Sequence, residues 1–319
     1  MNKLTMGRCS LMVAAVIATA SGTSAQETLK LTVGQKGAWD TSVSDVGNRA
    51  GIFKKHGLIL DIVYTQGSGE TLQPVLAGSV DIGVSVGTMG AISAYAKGAP
   101  VRIIGAEATG ASDLFWYVKT DSPIKSLKDI DGKTIAYSTN GASTHGVVLA
   151  FLKQYNVKAK PVATGSPPST LTQVMSGQID VGWALPPFGL DQIDQKQIRV
   201  LANGNDAAVF KGQTVRVLIA NLQTFQNRRD AVNRYVKAYR ETVDYMYSDP
   251  GALKVYAEVA GISVEKAKRV RDDFFAKEAL NPDRIVGLDI IVKDAVDLKY
   301  TAVPLTKEQI AELVQIPPR

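Results

Sequence analysis

Two stretches of this chain repeat each other. Leu76-Ala77-Gly78-Ser79-Val80-Asp81-Ile82-Gly83-Val84 and Met175-Ser176-Gly177-Gln178-Ile179-Asp180-Val181-Gly182-Trp183 lie 99 residues apart and agree in residue type at eight aligned positions. Upstream, Gly67-Ser68 precedes Leu72 and Val75 as Gly165-Ser166 precedes Leu171 and Val174, an alignment that needs one inserted residue. Each copy reads as a loop, a short helix, a glycine turn suited to a left-handed C-cap, and a strand opened by Asp81 or Asp180. A helix-turn-strand unit repeated at the spacing of one domain restricts the chain to a duplicated α/β architecture. Its 319 residues fit two domains of about 150 each.

Other elements alternate around these units. Leu29 to Val33 and Leu58 to Tyr64 read as strands flanking a helix over Ser42 to Lys55, and Thr88 to Lys97 is helical ahead of a strand over Val101 to Ala106. In the second half, strands over Thr134 to Ser138 and Ala159 to Ala163 enclose a helix over Ser143 to Tyr155. The alternation predicts two α/β lobes with mixed, mostly parallel sheets. Two further strands, Asp113 to Val118 and Thr214 to Ala220, read as hinge crossings between the lobes. The expected division is a first lobe of residues 26–115 and 217–319, interrupted by a second of residues 116–216. The tail is helical. Val232, Tyr235, Val236, Tyr239, Val243 and Met246 line one face of an amphipathic helix over Arg229 to Tyr247, Asp249-Pro250 opens another, and Thr306 with Gln309 forms a capping box.

Residues 1–25 stand apart from this pattern. Lys3 and Arg8 precede an apolar run from Leu11 to Ala20 and then Thr23-Ser24-Ala25, the pattern of a secretory signal peptide cleaved after Ala20 or Ala25. The run is half of the roughly 20 residues that span a bilayer. Cys9 precedes it, whereas the modified cysteine of a lipoprotein would follow, so the expected product is periplasmic and not lipid-anchored. One cysteine and two histidines exclude a disulfide framework and a multi-thiolate zinc site, and no metal or cofactor is expected. Without residues 1–25 the balance is 34 basic against 30 acidic side chains. The basic clusters Arg228-Arg229 and Lys266 to Arg271 are interleaved with Asp230, Asp272 and Asp273, which reads as solvated helix faces and excludes nucleic acid as a partner.

In open α/β sheets, ligands bind beyond the carboxyl ends of the strands, where helix N-termini present N–H groups. Two lobes joined by two crossings would face those ends toward each other, making the cleft between them the expected site. Its loops deliver Gln35, Lys36, Trp39, Ser68, Ser85, Thr88 and Thr109 from the first lobe, and Asn140, Ser143, Thr144, His145, Ser166, Trp183 and Pro186 from the second. Glycines and hydroxyls let a ligand approach backbone amides, and Trp39 and Trp183 are placed to clamp it from opposite sides. Each has a plainer reading as well. Trp183 fits a core position equally, Ser143 and Thr144 fit a helix cap that doubles as an anion site, and His145 fits a structural role better than a ligand contact.

Catalytic signatures are missing. Gly67-Ser68-Gly69 has Leu72 where a dinucleotide fingerprint needs its third glycine, and there is no Gly-Lys-Ser/Thr phosphate loop, no Gly-x-Ser-x-Gly elbow and no His-Glu-x-x-His. Glu107 reaches the same loops, but nothing in the spacing pairs it with a second carboxylate. A two-lobed, exported chain without a nucleophile or base reads as a binder rather than an enzyme.

Several segments carry a family resemblance: Ala50-Gly51-Ile52-Phe53-Lys54-Lys55-His56-Gly57-Leu58, Leu76 to Gly83, Gly98-Ala99-Pro100-Val101-Arg102-Ile103-Ile104, Ile124 to Ala136 and Ser176 to Asp180. Together they resemble periplasmic substrate-binding proteins of ABC transporters, in the branch of sulfonate, taurine and nitrate binders and of pyrimidine-precursor binders related to thiamine biosynthesis. The resemblance implies a type II periplasmic binding fold, hinged closure on a small-molecule ligand, and a monomer that delivers to an inner-membrane permease. It also implies that the helix start Gly141-Ala142-Ser143-Thr144-His145 meets the ligand's anionic group. Many such relatives place an acid and then proline-phenylalanine after the residue matching Trp183, whereas this chain has Ala184-Leu185-Pro186-Pro187-Phe188. With no arginine in the loops, a sulfonate or carboxylate with an apolar body fits better than an inorganic anion. Two alternatives stay open: a pyrimidine-precursor synthase on the same fold, using Lys36 or His145, and an exported ligand sensor.

Overall fold

The computed structural model describes residues 26–319. The signal-peptide expectation for residues 1–25 lies outside the described residues. The chain begins with β1 (Glu27–Gly34), α1 (Val43–Arg49), α2 (Ile52–Lys55), β2 (Leu58–Thr65), α3 (Ser68–Leu76), β3 (Ile82–Gly87), α4 (Thr88–Ala96) and β4 (Val101–Thr109). It crosses into β5 (Phe115–Lys119), β6 (Thr134–Tyr137), α5 (Ser143–Tyr155), β7 (Lys160–Ala163), α6 (Pro167–Met175), β8 (Gly182–Ala184), α7 (Leu190–Asp194) and β9 (Ile198–Asn203). It returns on β10 (Thr214–Asn221) and ends in α8 (Leu222–Asn227), α9 (Arg229–Ser248), α10 (Gly251–Ala260), α11 (Val264–Phe274), α12 (Leu288–Asp297) and α13 (Lys307–Leu313).

The large sheet has the order β2-β1-β3-β10-β4, parallel through β2, β1 and β3, with β10 antiparallel to both β3 and β4. The inserted segment holds a parallel pair, β6-β7, and an antiparallel trio, β8-β5-β9. A bridge from Ile135 to Val181 links the two. Sheets of this mixed kind, with helices alternating along the chain, make a two-part α/β fold.

The repeat is physical. Gly78 and Gly177 take φ of 71° and 79°, the left-handed turn that only glycine adopts cheaply. Asp81 Oδ2 accepts the Lys30 N–H at 2.8 Å, and Asp180 Oδ2 accepts the Thr134 N–H at 2.8 Å, so each acid ties its turn to a neighbouring strand. The hydroxyls of Thr65 and Thr71 pair at 2.6 Å, as do those of Thr164 and Thr170, again 99 residues apart. Gly67 and Ser166 are the N-caps of α3 and α6 and keep the same offset. The one-residue insertion is therefore unnecessary: Gly67 aligns with Ser166 rather than with Gly165.

Most elements fall where the pattern puts them, α5 and the strand expected over Thr214 to Ala220 among them. The helix expected over Ser42 to Lys55 is instead broken at Gly51, whose φ of 75° ends α1 and opens α2. Strand β9 carries no turn signal that announces it. The amphipathic face of α9 is buried as its spacing requires, with Tyr235, Val236 and Met246 fully enclosed. Each large apolar side chain buried there contributes about 1.5–3 kcal/mol.

Candidate functional site

The carboxyl ends of β1, β3 and β4 meet the inserted segment along a tight seam. Gly69 N–H donates to Thr139 Oγ1 at 2.9 Å. A Cβ added at Gly87 or Gly90 would overlap the Gly141 carbonyl oxygen, so both glycines are there because the β6–α5 loop packs on them. Exposed ion pairs close the rims: Lys266 to Asp191 at 2.6 Å and Arg269 to Asp194 at 2.7 Å between α11 and α7, and Lys153 to Asp297 at 3.2 Å between α5 and α12.

Most of the hydroxyls expected to face a ligand are satisfied on their own side of this seam. Ser68 Oγ accepts the Gly87 N–H at 2.7 Å, Thr88 Oγ1 donates to the Thr214 carbonyl at 2.7 Å, and Thr109 Oγ1 pairs with Thr214 Oγ1 at 3.0 Å. Gln35 Nε2 donates to the Gln66 carbonyl, and the Lys36 ammonium sits 5.4 Å over the Tyr64 ring. Thr144 Oγ1 accepts the Ser138 N–H at 3.0 Å and folds back on its own loop. Ser143 is the first helical residue, preceded by Ala142 at the N-cap, so it does not cap α5. Ser166 does cap α6. Asn140 accepts from the Tyr137 hydroxyl at 2.7 Å, and Pro186 is buried after β8.

The two tryptophans part company. Trp39 turns away from the seam into the core, fully buried, edge-on to Tyr247 and Tyr256, with its Nε1–H donated to the Tyr247 hydroxyl at 3.0 Å. The expected clamp from this side is a packing residue, because α9 and α10 supply aromatic partners that the local sequence does not announce. Trp183 sits on β8 beside Trp116, 1% exposed, and its Nε1–H has no hydrogen-bond partner. A buried indole N–H normally finds an acceptor.

His145 stacks on Tyr137 at 4.4 Å, and its Nδ1 lies 3.4 Å from both the Gly141 amide and the Tyr300 hydroxyl. Burial pushes the imidazole down, which keeps it neutral at neutral pH. With Nδ1 accepting from Gly141, the ring proton belongs on Nε2.

Beneath the seam lies a buried charge group. Arg216, on β10, places Nη2 2.7 Å from Asp113 Oδ2 and Nε 3.0 Å from Asp40 Oδ2. Glu107 joins it from β4, with Oε2 accepting the Ser85 N–H at 2.6 Å and Oε1 unpartnered. All four are under 8% exposed. Burial, and then the neighbouring Asp40, pushes the Glu107 carboxyl well above the ordinary carboxylate range, and burial pushes Asp113 up to about 6. Ser85, with φ of 66°, turns its amide inward to this acid.

A raised folded-state pKa means that the folded chain holds a proton the unfolded chain has released, so stability falls as pH rises above about 4.5, by about 1.4 kcal/mol per unit for a proton fully held. The urea midpoint is expected to drop between pH 5 and pH 7, and to drop less in Glu107→Gln, which keeps the acceptor for Ser85. An identical slope in the variant would remove Glu107 from this role.

Among the described residues, no group of three His, Cys, Asp or Glu is arranged to hold a metal ion, and no helix is long and apolar enough to cross a membrane.

Two repeated α/β units, a sheet completed by a returning strand, and strand ends closed against each other define the type II periplasmic binding fold. The chain belongs to the NMT1/THI5 like family, which matches residues 46–253. It is 29% identical over 140 residues, 43% of either chain, to a protein of Escherichia coli (strain K12) named as an aliphatic sulfonates-binding protein. It is 28% identical over 217 residues to a protein of Brucella abortus (strain 2308) named as a binding protein, covering 66% of this chain and 65% of the other. The matched segments thus span less than two thirds of the length of these curated relatives. The solved alkanesulfonate-binding protein SsuA from Xanthomonas axonopodis pv. citri, bound to MOPS, superposes with a TM-score of 0.72 at 19% identity, over 91% of this chain and 99% of that one. At that identity it shows a shared fold.

Proposed function

We propose that this chain is the exported, monomeric solute-binding component of an ABC importer, which takes up a small organic anion, sulfonate- or carboxylate-like with an apolar body, and presents it to an inner-membrane permease. Residues 26–115 with 217–319 act as one lobe and residues 116–216 as the other, with ligand captured where they meet. The protein works without a cofactor and catalyses no reaction. The observation that carries this reading is Trp183: its indole N–H, buried and unpartnered near the carboxyl end of β8, is a ready donor to an anion held at the seam. The names of the relatives support the ligand class. Binding would favour the closed arrangement, the form a permease would recognise.

Titration of the mature chain with a panel of sulfonates, carboxylates and pyrimidines tests this. The ligand should stabilise the fold by about 2.7 kcal/mol at 100 times its dissociation constant. Trp183→Phe keeps a ring in the core and removes the donor, so it should weaken binding by about tenfold without a matching loss of melting temperature. A panel without any stabilising member, or a Phe variant that binds as tightly as the parent, overturns the reading.

A further inference from the structure

We propose that a cavity beside the seam is an accessory site for an amphipathic monoanion, a sulfonate or carboxylate carrying an alkyl or aryl body. Its volume is about 610 Å³, within the range of small-molecule sites. One wall comes from α3 and α4, through Leu72, Leu76 and Ala94. The facing wall comes from Leu149 of α5 and from Leu298, just after α12. These side chains make an apolar slot long enough for a chain or a ring. The charge is one-sided: Lys97, at the C-terminal end of α4, and Lys299, following α12, line it, and no Asp or Glu does. Both lysines are exposed, and among the described residues neither is engaged in an ion pair.

Three uncharged polar groups complete the lining. Asn140, His145 and Tyr300 sit where the β6–α5 loop meets the segment after α12, and His145 carries its proton on Nε2 as a donor. A cation would meet two ammonium groups and no counter-charge, and a fully apolar molecule would leave the polar edge unused. An anion with a hydrophobic body matches both parts. Because the walls belong to both sides of the seam, the occupant contacts both and favours their closure. Trp183 does not line this cavity.

The test is calorimetric titration of the mature chain with 1-octanesulfonate, using methanesulfonate as the head group alone and octyltrimethylammonium as the same tail with opposite charge. Octanesulfonate is expected to bind and the two controls to bind far more weakly. The exposed double variant Lys97→Glu/Lys299→Glu should lose about tenfold in affinity. Octanesulfonate also belongs to the class proposed for Trp183, so two binding steps are expected: Ala94→Phe, which fills the slot, should abolish the step that Trp183→Phe leaves unchanged. Equal binding of octyltrimethylammonium, or undiminished binding to both pocket variants, overturns the proposal. If Trp183→Phe weakens octanesulfonate while the pocket variants do not, the probe occupies the cleft; the accessory site then falls and the cleft reading stands.

Discussion

Replacing Arg216 with leucine should cost about 3–5 kcal/mol of folding stability at pH 7. That is a large share of the roughly 5–15 kcal/mol that holds a typical domain together. Among the described residues the guanidinium is the one positive charge facing Asp40, Asp113 and Glu107, in a place where all three are buried. Its removal leaves Asp40 and Asp113 buried without a counter-charge, and drives the Asp113 carboxyl, already pushed up by burial, further toward its protonated form. The loss should therefore shrink at pH 5, where protonation comes more easily, and the triple variant Arg216→Leu/Asp40→Asn/Asp113→Asn should recover part of it. Urea denaturation at both pH values checks this. A loss below about 1 kcal/mol, the scale of an exposed pair, would mean that water reaches the group.

Gly90→Ala should separate folding from closure. In α4 the change suits the helix and gains up to about 1 kcal/mol in either state. The new Cβ would collide with the Gly141 carbonyl oxygen and crowd the Gly141 carbonyl carbon at 3.2 Å, but only when the two sides of the seam are together. Overpacking of that sort costs about 1–3 kcal/mol, which becomes a loss of affinity of about 10- to 100-fold for a ligand that binds the closed form. The expected outcome is a protein at least as resistant to urea as the parent that holds its ligand far less tightly. Calorimetry and small-angle scattering with and without ligand measure both parts. Undiminished affinity would show that the seam seen here is not the ligand-bound contact.

Much of the architecture was legible because it is written in local chemistry. Glycines at forced left-handed turns, an acid opening each strand, and 3.6-residue spacing on α9 all act within a few residues. The seam was legible as a location, since its loops follow from strand ends. Which side chains face it was not. Ser68, Thr88 and Thr144 have the composition of a binding loop, yet their hydroxyls go to backbone groups that the fold brings near, and backbone demand is met before any ligand is served. Trp39 was misread because its aromatic partners, Tyr247 and Tyr256, lie more than 200 residues downstream. The buried charge group is hidden for the same reason. Asp40, Glu107, Asp113 and Arg216 sit in four unrelated stretches, and only the placement of β10 between β3 and β4 collects them.

That placement has a bearing on how the chain comes to be folded at all. The inserted segment, β5 through β9, is continuous and can assemble from contacts made within itself. The large sheet cannot: its fourth strand in order is the last to be made, and β4 has no neighbour in that sheet until β10 arrives. Between the two lie more than a hundred residues, so pairing them is a non-local step that carries a long-loop entropy. For a chain that must be kept unfolded until it has crossed a membrane, as the export reading requires, a core that waits for its final strand delays premature compaction.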